Sequence, residues 1–333
     1  MKRPIEKLYI ELTSACNLNC SMCFRHSWFN EKIGTMSDEV LQCLFRSLPE
    51  LAGLKSVMFS GMGEPLVHPH TAKIVEQFAK AGIRTELLTN ATLLTRARAK
   101  ALVDSGLGTL WVSVDGFDRS SYEKVHIGSR FDLIMNNLEN FNQLRGDCKL
   151  GITFVIMDSN LHEIDRINDF ADRLGVDIIN LSYEIPGEPQ EDADSLCAGQ
   201  YPVGKQKRVV TQPGRELLRD YCPFVAENGC FVKWNGDVVP CMQLLHSSYT
   251  YLFAEKRKVH SKSFGNIQQQ PLQEIWESND YASFRKRVLD FEFSDCTYCM
   301  GCEDRLENLT DCMYNSFPTC GACLWAQGIA RCP

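Results

Sequence analysis

The sequence predicts an α/β fold, in which a partial (β/α)6 TIM-like barrel is followed by a small cysteine-rich domain with a β-hairpin. Strand-like and helix-like segments alternate at short intervals from residue 7 to about residue 183. Ten of the sixteen cysteines lie after residue 221, beyond this alternation. Six units instead of eight predict that the barrel is open, with its reactive face at the carboxyl ends of the strands.

Six strand candidates are rich in β-branched and apolar residues, and they are predicted over residues 7–12, 56–59, 84–88, 109–114, 151–156 and 177–182. The amphipathic segments between them are predicted to be helices, several of which begin at a Ser, Thr or Asp that can cap a helix. These helices are predicted over residues 37–51, 71–81, 95–105, 132–144 and 161–174. Strands separated by helices in this order predict a parallel sheet.

Two regions follow from this pattern, with a connecting segment between them. Residues 1–185 form the predicted barrel domain and residues 222–333 the cysteine-rich domain. Residues 186–221 contain two Pro-Gly pairs and many polar residues, and we interpret them as a linker or as a completion of the barrel.

The cysteine-rich region begins with a predicted hairpin. Asn235-Gly236 separates two strand-like runs, residues 231–234 and 237–239, and this dipeptide suits the positive φ angles of a type I′ turn. Such a hairpin would bring Cys230 and Cys241, at its two ends, close together. A short helix is predicted over residues 271–278. Because the region has little apolar core of its own, we expect bound metal to stabilise it.

Composition excludes several classes of protein. The 333 residues are 44% hydrophobic and 23% charged, with a formal net charge of −7. Nucleic-acid binding draws on clustered basic residues, and the basic run at residues 256–258 is short, so no nucleic-acid partner is expected. No apolar run approaches the roughly 18 residues of a membrane span and the start lacks a secretory segment, which predicts a cytoplasmic protein without a membrane partner.

Sixteen cysteines in that reducing compartment indicate metal binding and not disulfides.

Three cysteines directly after the first strand form the most informative motif. Cys16, Cys20 and Cys23 have the spacing C-x3-C-x2-C. Three thiolates would hold three irons of a 4Fe-4S cluster and leave the fourth open to a substrate or cofactor. The alternative is a zinc site completed by His26. Three other cysteines, Cys43, Cys148 and Cys197, are interpreted as inert.

The order of motifs in residues 5–185 resembles the radical S-adenosylmethionine (radical SAM) superfamily, in which such a triad follows the first barrel strand. The segment Ser60-Gly61-Met62-Gly63-Glu64-Pro65 is similar to the family's GGEP motif, although Met62 departs from it. Thr89-Asn90-Ala91 resembles TNG, and Ser113-Val114-Asp115-Gly116 resembles S-x-D-G. By this resemblance the residues expected to contact S-adenosylmethionine are Gly61, Gly63, Glu64, Pro65, Asn90, Ser113 and Asp115.

The resemblance also implies the chemistry. One electron, from a low-potential donor such as ferredoxin or flavodoxin, cleaves S-adenosylmethionine to a 5′-deoxyadenosyl radical, which takes a hydrogen atom from the substrate. The protein orients the reactants and excludes solvent. The sequence does not identify a catalytic acid or base.

The cysteine-rich region resembles the SPASM extension of this superfamily, which carries auxiliary 4Fe-4S clusters and occurs chiefly in enzymes that modify peptides or proteins. Two auxiliary clusters would take eight thiolates, so two of ten candidates are spare, or another metal such as zinc fills one site. The ten candidate ligands are Cys222, Cys230, Cys241, Cys296, Cys299, Cys302, Cys312, Cys320, Cys323 and Cys332.

The substrate is suggested by three short stretches. Met242 stands where sulfatase-maturing relatives have an Asp, which disfavours that activity. The stretches at residues 23–28, 308–312 and 318–328 resemble the radical maturases of tungsten-cofactor aldehyde oxidoreductases. This predicts a peptide or protein substrate, such as a tungsten aldehyde oxidoreductase. A small-molecule substrate and a non-catalytic iron-sulfur or zinc protein remain the alternatives, and the open triad favours an enzyme over the latter.

Overall fold

The core of the molecule is a largely parallel eight-stranded sheet. A computed structural model describes residues 3–183, 219–252, 255–297, 299 and 301–328. Six parallel strands lie in the sequence order β1 to β6, and two further strands extend the sheet beyond β1, in the order β6-β5-β4-β3-β2-β1-β7-β8. The predicted partial barrel is confirmed. The first six strands are β1 (Lys7–Ile10), β2 (Ser56–Phe59), β3 (Arg84–Thr89), β4 (Thr109–Ser113), β5 (Lys149–Ile156) and β6 (Ile178–Tyr183).

Six helices accompany these strands, and their first turns show why they begin where they do. Ser37 caps the first helix by accepting the N–H of Val40 at 3.4 Å, and Thr95 caps the third in the same way. The predicted helix at 161–174 is instead a 3-10 helix, Asp158–Arg166, followed by an α-helix. The helices are α1 (Asp38–Ser47), α2 (Thr71–Lys80), α3 (Arg96–Asp104), α4 (Arg119–Val125), α5 (Phe131–Leu144) and α6 (Ile167–Leu174). Helix α4 is missing from the sequence-based prediction.

The predicted hairpin is present, and it belongs to the barrel sheet. Strand β7 (Gly229–Val232) pairs in parallel with β1, and β8 (Val238–Val239) pairs antiparallel with β7. The turn is of a different type from the one predicted: within residues 233–237, all described, only Gly236 has a positive φ, +88°. The N–H of Gly236 bonds to the carbonyl of Lys233, which makes a type I turn followed by a bulge. The domain boundary predicted at 222 thus lies close to β7, which shares a sheet with β1. Residues 186–218 of the predicted connector lie outside the described part.

The rest of the chain packs against the β1 side of the barrel. It contains an antiparallel pair, β9 (Ser248–Leu252) and β10 (Glu255–Val259), and the helices α7 (Pro223–Ala226), α8 (Leu272–Glu277) and α9 (Asn279–Asp290). Trp276 and Tyr281 join the main apolar core, and the Trp276 indole donates to the Arg3 carbonyl at 2.7 Å. Beyond α9, the described residues contain one short 3-10 helix, Glu303–Leu306. None of the helices in the described ranges is long and apolar enough to cross a bilayer.

Candidate active site and cluster sites

The three cysteines of the C-x3-C-x2-C motif lie on a loop at the carboxyl end of β1, and all three are partly buried. Arg25 holds this loop in shape. Its Nη2 donates to the Leu18 carbonyl at 2.9 Å, while its Nε lies 3.4 Å from the Cys23 sulfur. These contacts within the loop hold its backbone in one conformation and so fix the directions of the thiols.

Each of the three sulfurs has a nitrogen group beside it. The Leu18 N–H lies 3.5 Å from Cys16 Sγ, and Asn90 Nδ2 lies 3.7 Å from the same atom. His126 Nδ1 lies 3.5 Å from Cys20 Sγ. N–H groups aimed at sulfur stabilise the negative charge of an iron-bound thiolate, so the donor set fits a 4Fe-4S cluster.

Without metal, two thiols of this loop, those of Cys16 and Cys20, favour the protonated form. Burial raises the pKa of Cys20 to about 12, and the neighbouring Cys23 and Asp115 add to the effect. Burial also raises the pKa of Cys16. Bound cationic iron supplies the positive charge that makes the thiolate form stable here.

The zinc alternative through His26 does not match the structure. His26 is exposed, and its Nε2 lies 2.8 Å from Asn19 Oδ1, on the outer side of the loop. In the described ranges, no three His, Cys, Asp or Glu side chains lie close enough together to hold a single metal ion.

The segment from Gly61 to Pro65 follows β2 and lies against the cysteine loop. Gly63 approaches that loop so closely that a Cβ would stand 2.2 Å from the Thr13 carbonyl oxygen, which excludes any side chain. Glu64 is buried and accepts hydrogen bonds from Thr89 Oγ1 at 2.7 Å and from the Asn90 N–H at 2.7 Å. Burial raises the pKa of Glu64 although these bonds oppose the rise. Glu64 thus joins the ends of β2 and β3.

Ser113 and Asp115 stand at the end of β4, on the same face as the triad. Asp115 is fully buried, and its Oδ2 lies 2.8 Å from Nε2 of His126. The structure therefore gathers the four predicted motifs around the cysteine loop. His126 is a site residue that the sequence prediction omits, because it follows α4. A capping box between Asp118 and Ser121 was the available indication of that helix.

Four cysteines of the C-terminal part come together from three separate segments. Burial raises the pKa of Cys222 to about 12, with a further contribution from Cys323, and it raises the pKa of Cys241, beside Cys222 and Cys323, well above its usual value. Cys320 is affected in the same way by the other three. Backbone N–H groups two and three residues after Cys222, Cys241 and Cys323 point at their sulfurs. We call Cys222, Cys241, Cys320 and Cys323 the buried thiol group.

A second group lies in the tail. Burial raises the pKa of Cys296 to about 11, with Asp311 and Cys312 beside it and Cys302 also contributing. The remaining cysteine of this loop, Cys299, is exposed. We call Cys296, Cys299, Cys302 and Cys312 the tail thiol group.

One buried cation links the loops of the two thiol groups. Arg257 donates from Nη1 to the Ala322 carbonyl at 2.7 Å and from Nε to the Arg305 carbonyl at 2.6 Å. Ala322 lies between two cysteines of the buried thiol group, and Arg305 follows Cys302 of the tail thiol group.

Comparisons with known proteins agree with this geometry. Residues 10–171 match the family model of the radical SAM superfamily, and residues 222–303 match that of SPASM, the iron-sulfur cluster-binding domain. The chain belongs to the radical SAM superfamily. It is an enzyme of that superfamily with a SPASM domain, and its cofactors are S-adenosylmethionine and 4Fe-4S clusters, as the sequence predicted.

Two relatives of this radical SAM enzyme match it over nearly its whole length. The tungsten-containing aldehyde ferredoxin oxidoreductase cofactor-modifying protein of Pyrococcus furiosus is 29% identical, covering 98% of this chain and 96% of the relative. The AdoMet-dependent heme synthase of Methanosarcina barkeri is 25% identical over 93% of this chain and 94% of its own. The fold is shared with anSMEcpe bound to AdoMet and the Kp18Cys peptide, at a TM-score of 0.65 and 19% identity, covering 98% of this chain and 96% of that one.

One predicted ligand, Cys230, stands apart from both thiol groups of this radical SAM enzyme. Cys230 is fully buried in β7, in the main apolar core near Arg285. Its neighbour Phe231 points to the opposite face of the strand, into a small apolar cluster that Cys222 and Cys241 contact. The hairpin therefore does not pair Cys230 with Cys241. Cys332 and the presumed inert Cys197 lie outside the described residues.

A buried network of charged side chains joins the SPASM part to the barrel. His246 lies 2.9 Å from Glu11 Oε1 through Nε2 and 2.8 Å from Glu31 Oε2 through Nδ1. Lys233 also donates to Glu31, at 2.8 Å, and the Met62 N–H donates to Glu11 at 3.0 Å. Burial alone raises the pKa of Glu31, but the bonds from His246 and Lys233 outweigh it and lower that pKa to about 2.

The predicted residues after the triad take specific places around this network. Trp28 stacks on the His246 ring with centroids 4.1 Å apart. Met242, the residue that replaces an Asp of sulfatase maturases, packs with Met62 against the small apolar cluster of Phe231. Met62, in the loop that precedes Glu64, and Met242 of the SPASM part thereby pack against the same apolar cluster.

Proposed function

We propose that this radical SAM enzyme is a maturase, which cleaves S-adenosylmethionine reductively and abstracts hydrogen from a peptide or protein. The polypeptide is a tungsten-dependent aldehyde oxidoreductase or a peptide linked to it. The similarity to the Pyrococcus furiosus cofactor-modifying protein carries this proposal, because it spans both the barrel and the SPASM part. A low-potential donor such as ferredoxin or flavodoxin supplies the electron.

In this proposal the barrel residues hold the cluster and orient S-adenosylmethionine. Cys16, Cys20 and Cys23 hold three irons of the cluster, which supplies the electron for cleavage of the carbon-sulfur bond. Gly61, Gly63 and Pro65 shape the loop for the methionine part of S-adenosylmethionine, and Glu64 ties that loop to Asn90. The buried surroundings of Glu64 and Asp115 keep water away from the radical.

The auxiliary clusters take one thiol group each. We infer that the buried thiol group holds the first cluster and the tail thiol group the second. Each group then supplies the four thiolates that a closed 4Fe-4S cluster requires. In this assignment Cys230 and Cys332 are the two spare cysteines of the ten.

The decisive experiment uses the reconstituted enzyme under anaerobic conditions. It is incubated with S-adenosylmethionine, a flavodoxin reducing system and the tungsten oxidoreductase polypeptide or a small peptide encoded beside it. Mass spectrometry should detect a mass change in the polypeptide that requires S-adenosylmethionine, together with 5′-deoxyadenosine. The variant lacking all three triad cysteines is the matched control and should leave the polypeptide unchanged.

A small-molecule substrate is the second candidate, because the heme synthase relative also matches over 93% of the chain. The same incubation separates the two, since a tetrapyrrole can replace the polypeptide in one arm. Turnover of the small molecule alone would overturn the polypeptide proposal and leave the radical chemistry intact. Absence of 5′-deoxyadenosine in every arm would favour a non-catalytic iron-sulfur protein.

A further inference from the structure

The carboxylate of Asp115 is fully engaged within the protein. Its Oδ1 accepts the Val155 N–H at 2.6 Å, and Ser113 Oγ donates to its Oδ2 at 3.3 Å. The same Oδ2 lies 2.8 Å from His126 Nε2, and no part of the Asp115 side chain is exposed. Both oxygens therefore already have partners on the protein side.

His126 lies between Asp115 and the cysteine loop. Its Nδ1 lies 3.5 Å from Cys20 Sγ, and only 1% of the residue is exposed. The Tyr122 ring stacks on the imidazole with centroids 4.3 Å apart, which fixes the plane of the ring. The imidazole thus lies between a buried carboxylate and the Cys20 sulfur, with Nε2 in close contact with Asp115 but outside hydrogen-bond angles.

The backbone holds the two residues of this contact side by side. The Asn19 N–H bonds to the Ile127 carbonyl at 3.0 Å, and the Ser21 N–H bonds to the Val125 carbonyl at 2.9 Å. These bonds flank Cys20 on one segment and His126 on the other. The sulfur-imidazole contact is therefore built into the fold, and side-chain rotation alone does not remove it.

Gly116 allows the helix that carries His126 to lie so close. A Cβ at this position would stand 2.5 Å from the Tyr122 backbone nitrogen. The Gly of the S-x-D-G motif is thus required by the approach of α4 to the end of β4. The S-x-D-G motif therefore has a structural role: its Gly lets α4 pack against the end of β4, and its Asp lies beside the residue that follows α4.

We propose that His126 donates an N–H···S hydrogen bond from Nδ1 to Cys20 when Cys20 holds the SAM-cleaving cluster, with Nε2–H facing the Asp115 carboxylate so that both ring nitrogens carry a proton, and that Asp115 is the positioning residue that orients His126. This rests on the proposed function of the triad. It differs from the expectation, given by the resemblance, that Asp115 contacts S-adenosylmethionine. An N–H···S bond favours the more negative, reduced cluster, so it raises the reduction potential.

The test uses the full chain, reconstituted anaerobically. Electron paramagnetic resonance identifies the triad cluster, because its reduced-state spectrum should change when S-adenosylmethionine is added, and the potential of that cluster is measured. In His126→Phe, which keeps a ring against Tyr122, the ratio of reduced to oxidised cluster at a fixed potential should fall roughly tenfold, which corresponds to about 59 mV. His126→Asn, whose amide can still donate, should shift by less than half as much. Unchanged potentials in both iron-loaded variants would overturn the proposal.

Asp115→Asn separates positioning from cofactor binding. It should lower the potential in the same direction as His126→Phe and keep the dissociation constant for S-adenosylmethionine within about twofold. A tenfold weaker affinity with an unchanged potential would instead place Asp115 on the cofactor, which overturns the inference.

Spectroscopy of the unaltered chain keeps the inference testable if a variant loses iron. With histidine labelled by 15N, the reduced triad cluster should show a nitrogen hyperfine coupling from His126, and its absence would contradict the contact. This coupling does not depend on turnover. If added S-adenosylmethionine changed no cluster spectrum, the proposed function would fail, while the coupling would still report on Cys20 and His126.

Discussion

The triad loop and the buried thiol group present their cysteines in different ways. The triad lies within eight consecutive residues, on a loop that Arg25 and the backbone of residues 125–127 hold. The buried thiol group collects its thiols from positions 222, 241 and 320–323; Cys222 and Cys241 pack against a small apolar cluster, and Cys320 packs against the main core. The first site lies on one short loop, while the second connects segments that are far apart in the sequence.

This difference separates two roles for metal. The triad loop rests on the large apolar core of the barrel, so it should keep its shape when iron is absent. In the C-terminal part, burial raises the pKa of the clustered thiols, so without metal they are neutral and no bond links their segments. Bound iron would link them as thiolates, so binding free energy becomes folding free energy there.

The largest effect is expected from a variant that removes the triad site alone. Replacing Cys16, Cys20 and Cys23 together by Ala should abolish cleavage of S-adenosylmethionine, because no thiolate remains to hold the cluster. Iron content should fall from about 12 to about 8 atoms per chain, since each cluster carries four irons. Circular dichroism should stay that of the folded chain. Undiminished 5′-deoxyadenosine formation would show that another site performs the cleavage.

The next effect tests the second site. Cys241→Ala should lower iron by about four atoms per chain and make the C-terminal part sensitive to protease, because the metal that connects its segments is lost. Cys230→Ala is the matched control, since Cys230 is buried in the same hairpin. It should keep all its iron and cost roughly 1 kcal/mol of stability. Equal iron loss in both variants would return Cys230 to the ligand set.

A smaller effect concerns the network that joins the two parts. The pKa of Glu31 is about 2 in the folded chain, below its ordinary 4.5, so its contribution to stability is present above pH 4.5 and is lost as pH falls toward 2. Glu31→Gln should reduce the free energy of unfolding at pH 7 by about 2–3 kcal/mol, measured by anaerobic urea titration at equal iron loading.

The pH dependence distinguishes this network from a general effect of lost charge. The difference between Glu31→Gln and the unaltered chain should shrink as pH falls from 4.5 toward 2. Glu76→Gln, which removes an exposed pair with Lys80, should change stability by less than about 0.5 kcal/mol at any of these pH values. A pH-independent difference for Glu31→Gln would contradict the ion-pair explanation.

The smallest expected effect lies in the tail. Tyr314 is 93% exposed and has a φ of +60°, a left-handed conformation that Asn adopts more readily than Tyr. Tyr314→Asn should therefore stabilise the tail by about 0.5 kcal/mol, and Tyr314→Val should destabilise it. Protease resistance of the iron-loaded tail is the measurement. The same change for both variants would show that backbone strain at this position is irrelevant to the tail.

Local patterns allowed much of this structure to be predicted. Strand and helix periods placed six strands within a few residues, and the spacing of Cys16, Cys20 and Cys23 indicated the open cluster site. The position of His126 was missed because it depends on α4, whose seven residues give a weak amphipathic pattern. The ligand groups were also beyond reach, because Cys222 meets Cys323 through tertiary packing that spacing does not record.

The hairpin illustrates the same limit. Asn235-Gly236 correctly indicated a turn, but the residue in the left-handed conformation is Gly236, at the bulge position. The pairing of β7 with β1 has no local sequence signature, since Leu8 and Cys230 are partners far apart in the chain. Long-range pairing decides whether a short hairpin stands alone or extends a sheet.

The pairing of β7 with β1 also orders events during synthesis. More than two hundred residues separate the two strands, so a ribosome working at about 5–20 residues per second exposes β1 for about 10–45 seconds before β7 emerges. Throughout that interval one edge of β1, directly beside the cysteine loop, has no strand to bond. The cysteine loop is thus synthesised well before the carboxyl-terminal half that covers this edge of β1.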